Sequence, residues 1–288
     1  MIRLALRVRR VDAELVLAEL LELAPSGVEE VDVSADIVEY AVYGPPGELP
    51  TLPDLEVAAA GAFVECTTTE VADDWAERWR DFHRPLTIDD RLCVRPPWEP
   101  ASSAALDLVI DPGQAFGTGA HATTALCLRM LIEHASAAAQ GGSHGTAPDP
   151  AVIDLGCGSG VLAITAARLG LAPVLALDFD PLAVDATREN AAVNGVAELI
   201  EARRLDLRSE RVPVAPLVLA NLLGPLLLDW CTQLSAAPAL PRTAIVSGLL
   251  VEEADRIAAA FESVGMCEVE RTKQAEWAAL TLVSHGGV

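Results

Sequence analysis

The chain has 288 residues, of which 51% are hydrophobic and 4% aromatic, so we expect a core of Ala, Leu and Val in one large domain or in a large and a small one. Its formal net charge of −22 disfavours direct binding to nucleic acid, which needs clustered Lys and Arg. Such a charge either attracts a basic partner or only keeps the protein soluble. No apolar run is long enough for a membrane span, the amino-terminal residues do not resemble a signal peptide, and the six cysteines lack paired metal-site spacing. These features favour a cytoplasmic protein that binds neither membrane nor metal.

Residues 1–68 are predicted to form a small α+β domain. Residues 2–8 alternate like a half-buried strand, and Asp12 is placed to cap a following helix. Further strand candidates lie at 28–33, 37–43 and 62–67. This segment shows no catalytic constellation, which favours a role in substrate recognition.

Residues 69–100 are predicted to be a linker that contains one helix. Trp75, Trp79 and Phe82 lie four and three residues apart, on one face of that helix. The aromatic stripe either packs between two domains, which we favour, or offers a surface to a substrate. Prolines 96, 97 and 100 predict a stiff connection to the next segment of the chain.

Residues 101–288 alternate between strand-like and helix-like runs, which predicts an α/β, doubly wound sheet with helices on both faces. The last two strand candidates are separated by a short polar segment and are expected to form an antiparallel hairpin at one edge. Residues 135–150 are predicted to be a long loop. The strand candidates are 107–110, 151–155, 173–177, 199–205, 216–220, 242–247, 267–271 and 277–283.

The segment 111–124 is the first with visible chemistry. Glycines precede a predicted helix whose first turn carries Thr123 and Thr124, and their hydroxyls and amides could reach a ligand. His121 is either a general base or, as we favour, a structural hydrogen-bonding group.

A glycine turn comes after the next apolar run. Residues 152–155 lead into Gly156, Gly158 and Gly160, and glycine lets a backbone turn sharply and approach a ligand closely. A second apolar run ends at Asp178, 22 positions after Gly156, where a carboxylate could accept hydrogen bonds from ribose hydroxyls. The turn amides could hold an anion at the start of a helix. Together these features predict a nucleoside pocket at the carboxyl edge of a parallel sheet.

Asp178 and Asp180 are both candidates to bind the ribose, and Pro181 distinguishes their roles. Proline suits the first helical turn, which makes Asp180 the cap of the next helix and leaves Asp178 free. Phe179, between them, either lies against a purine face or serves packing.

Asn221 is a polar residue at the end of an apolar strand. It either turns the strand end, as Asn often does, or uses its amide oxygen to accept a hydrogen bond from a substrate amine. Because its strand is expected beside the glycine strand, we favour the second role.

These segments together resemble the ribosomal protein L11 methyltransferase family, which belongs to the class I enzymes that use S-adenosylmethionine. The likeness begins near residue 70 and runs to the end of the chain. Its most specific piece is the Phe-Gly-Thr-Gly-x-His-x-Thr-Thr motif at 116–124, which makes Phe116 and Gly117 further cofactor-binding candidates beside Gly158 and Phe179. The other matching segments are 74–85, 97–100, 153–160, 178–195, 220–225, 247–250 and 276–277. The resemblance implies a seven-stranded sheet and cofactor contacts at Thr124, Gly156, Asp178 and Asn221.

The resemblance also implies methyl transfer to amino groups of ribosomal protein L11. Because the attacking amine has to be neutral and in line with the methyl group, we assign Asn221 as the catalytic residue that orients it. Three alternatives stay open. They are a lysine methyltransferase of another protein, a non-catalytic S-adenosylmethionine-binding module, and a dinucleotide oxidoreductase, against which the short glycine spacing argues.

Overall fold

The computed structural model describes residues 2–13, 16–17, 20, 28–34, 36–44, 49, 63–70, 84–111, 121–140 and 150–284. The chain divides into two compact units, Met1–Phe82 and His83–Val288. Trp75, Trp79 and Phe82 lie outside the described residues, so their helix stays a prediction.

The first unit holds a four-stranded antiparallel sheet. Its strands are β1 (Ile2–Arg9), β2 (Glu29–Asp32), β3 (Ile37–Gly44) and β4 (Phe63–Glu70), and they lie in the order β2-β3-β1-β4. Side chains alternate between faces along a strand, so Leu4, Leu6 and Val8 point together into a core that also contains Val16 and Leu20. The predicted strands of this small α+β unit therefore form.

Three short strands precede the main sheet of the second unit. The predicted strand at 107–110 forms, as β7 (Leu106–Val109), but it is not part of the main sheet. It pairs in parallel with β6 (Leu92–Arg95), which pairs antiparallel with β5 (Leu86–Ile88), and neither of these was predicted. Alternation along the chain indicates that a strand exists but not which sheet receives it. A bidentate ion pair between Arg95 and Asp107 joins β6 to β7 at 2.9 Å.

The main sheet of the second unit has seven strands. They are β8 (Val152–Leu155), β9 (Val174–Asp178), β10 (Ile200–Arg204), β11 (Leu217–Asn221), β12 (Thr243–Leu250), β13 (Met266–Gln274) and β14 (Trp277–Ser284). Their order is β10-β9-β8-β11-β12-β14-β13. The first five strands in this order are parallel, and β14 pairs antiparallel with both β12 and β13. The predicted edge hairpin is thus confirmed.

Helices cover both faces of this sheet, as the doubly wound prediction requires. They are α1 (Ala122–Gln140), α2 (Val161–Arg168), α3 (Pro181–Val193), α4 (Gly224–Leu234) and α5 (Ala254–Ser263). One apolar core contains residues of α1 and α2, such as Leu131 and Ile164, and the other contains residues of α4 and α5, such as Trp230 and Phe261. Because α1 runs to Gln140, the loop predicted from residue 135 is wrong over its first part.

The order of the main sheet reverses between β8 and β11. From β8 the chain adds β9 and β10 on one side, and it then crosses back to place β11 on the other side. In open α/β sheets, ligands bind in the crevice outside the carboxyl ends of the strands at such a reversal. The loops after β8 and β11 are therefore the expected place for a ligand site.

Candidate active site

The glycine turn after β8 adopts backbone angles that favour glycine. Gly156, Gly158 and Gly160 have φ of 76°, 52° and 82°, in the left-handed region. The amides of Gly156 and Cys157 both donate to the Leu177 carbonyl, at 2.8 and 3.0 Å, which ties the turn to the end of β9. A side chain at Gly156 would also collide with Leu222, the residue after β11. The turn is thus fixed between the two neighbouring strands.

Asp178, at the end of β9, holds this turn through its carboxylate. Oδ2 accepts the amide of Gly158 and Oδ1 accepts the amide of Asp180, both at 3.0 Å. Asp178 was predicted to be free for a ribose, and these two backbone bonds use part of its acceptor capacity. A carboxylate offers about four acceptor sites, so both oxygens keep capacity for a further donor. Burial raises the pKa of Asp178, while the amides of Gly158 and Asp180 act in the opposite direction.

Asp180 and Phe179 behave differently from Asp178. Asp180 caps α3, since its Oδ1 accepts the Leu182 amide at 2.9 Å with Pro181 in the first turn, and the predicted cap is confirmed. Phe179 is 58% exposed, with the Arg208 guanidinium 5.6 Å from its ring centroid. Its ring therefore lies at the surface of the carboxyl edge and not in the core.

Asn221 meets Thr124 across 97 positions of sequence. The Asn221 Nδ2 donates to Thr124 Oγ1 at 3.2 Å, and Thr124 is buried in the first turn of α1. Because β11 lies beside β8, as predicted, this pair stands next to the glycine turn. In the described part of the chain no donor reaches the Asn221 Oδ1, so its amide oxygen is available as an acceptor.

The backbone after Asn221 packs closely against Gly248, a residue to which the sequence analysis gave no role. Gly248 has φ of 85°, and any side chain there would collide with the Leu222 backbone. The Leu222 amide donates to the Ser247 carbonyl at 3.0 Å, and the pairing of β12 with β14 shifts register at this point. The available signal was a glycine inside an apolar strand, which typically marks a bulge or a close backbone approach.

His121 makes contacts that favour its structural role. Its Nδ1 lies 2.8 Å from Thr123 Oγ1, and its ring packs edge-on against Trp277 with centroids 4.9 Å apart. Burial lowers the pKa of His121. Phe116 and Gly117, in the same motif, lie outside the described residues, so their cofactor contacts stay predictions.

Asp154 is a buried acid beneath the turn that sequence reasoning passed over. Its Oδ2 accepts the amide of Ala163 in α2 at 2.9 Å, and its Oδ1 has no hydrogen-bond partner among the described residues. Burial, assisted by the charge of Asp178, raises its pKa to about 7. An acid between Ile153 and Leu155 in a fully buried strand was the signal that could have singled it out.

Comparison with known proteins identifies the family of this chain. The ribosomal protein L11 methyltransferase (PrmA) profile matches residues 54–285. The chain belongs to this family. The family membership and the class I methyltransferase fold expected from the motifs are thereby confirmed.

Individual L11 methyltransferases show how far the likeness extends. That of Pelotomaculum thermopropionicum is 38% identical over 216 residues, covering 74% of this chain and 67% of the relative. That of Heliobacterium modesticaldum is 39% identical over 210 residues, covering 72% of this chain and 63% of the relative. The crystal structure of a ribosomal protein L11 methylase from Lactobacillus delbrueckii subsp. bulgaricus superposes with a TM-score of 0.56 at 27% identity, over 70% of this chain and 98% of that one. The match thus spans about two thirds of the length of the curated relatives.

Proposed function

We propose that this chain transfers methyl groups from S-adenosylmethionine to amino groups of ribosomal protein L11, on lysine side chains, the amino terminus or both. Membership of the L11 methyltransferase family supports the reaction class and the substrate. The observation that carries the proposal in this chain is the meeting of the glycine turn, Asp178 and the Asn221–Thr124 pair where the strand order reverses.

The residues present fit the cofactor. Asp178 keeps acceptor capacity for the ribose hydroxyls, and Gly156 and Gly158 place no side chain of their own between the turn and a ligand. The exposed ring of Phe179 is available to a nucleobase. We assign cofactor contacts to Thr124, Gly156, Gly158, Asp178, Phe179 and Asn221, with Phe116 and Gly117 as further contacts.

Bound S-adenosylmethionine supplies an electrophilic methyl group on a sulfonium. The acceptor amine has to be neutral and in line, yet a lysine has a reference pKa of about 10.4. Desolvation in a closed pocket lowers the pKa of an amine. The Asn221 Oδ1 then accepts one N–H of the neutral amine and holds its lone pair in line, while Nδ2 stays anchored on Thr124. No strong base is required, because water can take the released proton.

The experiment is methylation of purified L11 followed by mass spectrometry, with the wild-type chain and an Asn221→Ala variant. We expect methyl additions with the wild type and a turnover number at least tenfold lower with Asn221→Ala at saturating cofactor, since transition-state alignment is lost. Thr124→Val removes the hydroxyl that anchors the amide and that is also assigned to the cofactor, so it should raise KM for the cofactor and lower the turnover number less than Asn221→Ala does. Unmodified L11 after incubation with wild type would reject the proposed substrate. Full turnover by Asn221→Ala would remove the orienting role.

Substrate docking is assigned to the amino-terminal domain, residues 1–68. Residues 69–100 are proposed as the linker, although β5 and β6 within it lie in the same compact unit as the proposed methyltransferase domain, residues 101–288. The glycine turn, Asp178 and Asn221 all lie in the second compact unit, which leaves the first unit available for docking. A chain of net charge −22 attracts a basic ribosomal protein. We place both proteins in the cytoplasm. Within the described residues no helix is long and apolar enough to cross a membrane.

Removal of residues 1–68 should leave cofactor affinity nearly unchanged and abolish methylation of intact L11. Methylation by the full chain should slow as salt rises, because salt screens charge-steered encounter. A truncated protein that methylates L11 at the parental rate would contradict the docking role, and unchanged cofactor titration is its folding control.

A further inference from the structure

Asn190, in α3, joins two parts of the backbone that meet at the site. Its Oδ1 accepts the amide of Asp111, two residues after β7 ends, at 3.0 Å. Its Nδ2 donates to the carbonyl of Ser159, in the glycine turn, at 2.9 Å. The side chain is 3% exposed, so these bonds form away from solvent. A single amide therefore links the end of β7 to the glycine turn.

Asn194, one helical turn later, makes a similar contact that stops short of the glycine turn. Its Oδ1 accepts the amide of Val109 at 2.9 Å and its Nδ2 donates to the carbonyl of Val109 at 2.6 Å. Nδ2 also reaches the Asn190 carbonyl at 2.8 Å. Asn194 thus fastens β7 to α3, whereas Asn190 adds the connection to the turn.

The chemistry of Asn190 suits this bridge. Its two backbone partners are one donor and one acceptor, and a carboxamide presents an acceptor and a donor from the same planar group. An aspartate would place a carboxylate oxygen against the Ser159 carbonyl, and an alanine would leave both buried backbone groups without a partner. Thr187, three residues earlier, donates to the Gly158 carbonyl at 3.0 Å, so α3 grips the turn at two consecutive residues.

We propose that Asn190 is a positioning residue for cofactor binding, which holds the glycine turn at a fixed distance from the end of β7. The inference rests on the proposed function, since it takes the turn to be part of the cofactor site. Without the bridge, the turn keeps the bonds from Thr187 in α3 but loses the one from Asn190, and its backbone is no longer held in the conformation that the ligand requires.

The test compares Asn190→Ala and Asn190→Asp with the matched control Asn194→Ala. Calorimetric titration with S-adenosylmethionine gives the cofactor Kd, thermal melting gives Tm, and methylation of L11 gives KM for cofactor and kcat. We expect both Asn190 variants to raise Kd and KM for cofactor at least tenfold and to change kcat at saturation less than threefold. Asn194→Ala should lower Tm to a similar degree while changing Kd less than threefold. A purely structural role would lower Tm in all variants and leave Kd alike.

The outcomes separate the two proposals. A wild-type chain that does not bind S-adenosylmethionine would overturn the proposed function and, with it, the role of Asn190 in cofactor binding. A wild-type chain that binds, with Asn190 variants that bind as tightly as Asn194→Ala, would overturn only the positioning role. If Asn190→Ala does not fold, Asn190→Ser, which keeps a hydroxyl in the bridge, carries the same comparison.

Discussion

Replacing Asp178 by alanine tests the cofactor site most directly. The change removes an acceptor from the proposed ribose hydroxyls and also from the amides of Gly158 and Asp180, each 3.0 Å away. A hydrogen bond to a charged group contributes about 1.5–3 kcal/mol. Loss of a single ribose bond therefore corresponds to roughly a 10- to 150-fold weaker Kd, at about 1.4 kcal/mol per factor of ten. Loosening of the glycine turn adds to that loss, so we expect at least a tenfold effect.

Asp180→Ala is the matched control, because the two acids are neighbours with different partners. It loses the bond from Leu182 and the cap of α3, which costs about 1 kcal/mol of stability, and should change Kd far less. Titration calorimetry with S-adenosylmethionine and with S-adenosylhomocysteine measures both variants, and thermal melting reports their stability. Unchanged affinity in a folded Asp178→Ala variant would remove Asp178 from the site. Equal losses of affinity in both variants would show that only the strand end as a whole matters.

Three further predictions concern buried charge and close packing. The pKa of Asp154 is about 7 in the folded protein, above its ordinary 3.8. Its carboxyl group therefore ionises at lower pH in the unfolded chain than in the folded one, and the free energy of unfolding falls as pH rises from about 4 to about 7. Asp154→Asn, which can still accept from Ala163, should remove that fall, on the order of 4 kcal/mol, and parallel melting curves against pH for the two proteins would refute it. Because burial raises the pKa of Asp178 and ribose hydroxyls favour its ionised form, cofactor binding should release protons and weaken as pH drops, which calorimetry in buffers of different ionisation enthalpy measures. Gly248→Ala should displace Leu222 and lower kcat more than cofactor affinity, and kinetics equal to wild type would show that the backbone after Asn221 tolerates the shift.

Local patterns in the sequence predicted the parts of the site that local physics determines. The Asp180–Pro181 pair predicted a helix cap, because proline at the first helical position and an acid before it act within one turn. Alternation of strands and helices placed β11 beside β8, since right-handed crossovers leave few topologies open. The glycine turn was predicted correctly because almost no residue other than glycine adopts the left-handed backbone angles that this turn requires.

The remainder depended on partners distant in sequence. Asp178 looked free because nothing local shows that the amide of Gly158, 20 positions earlier, folds back onto it. The strand at 106–109 was expected in the main sheet because its true partner, β6, lies in a segment that we had interpreted as a linker from its proline-rich composition. Asn190 stood in a helix with no local pattern to distinguish a bridging amide from a solvated one.

The order of strands at the antiparallel edge has a consequence for how the chain folds. β13 precedes β14 in sequence, yet β14 lies between it and β12. On a growing chain, β13 therefore has no partner, and β12 presents an open apolar edge, until β14 has been synthesised and inserted. A chain stopped between these two strands would expose the unpaired edge of β12 to other molecules. We expect such truncated chains to aggregate, whereas chains that include Ser284 complete the sheet.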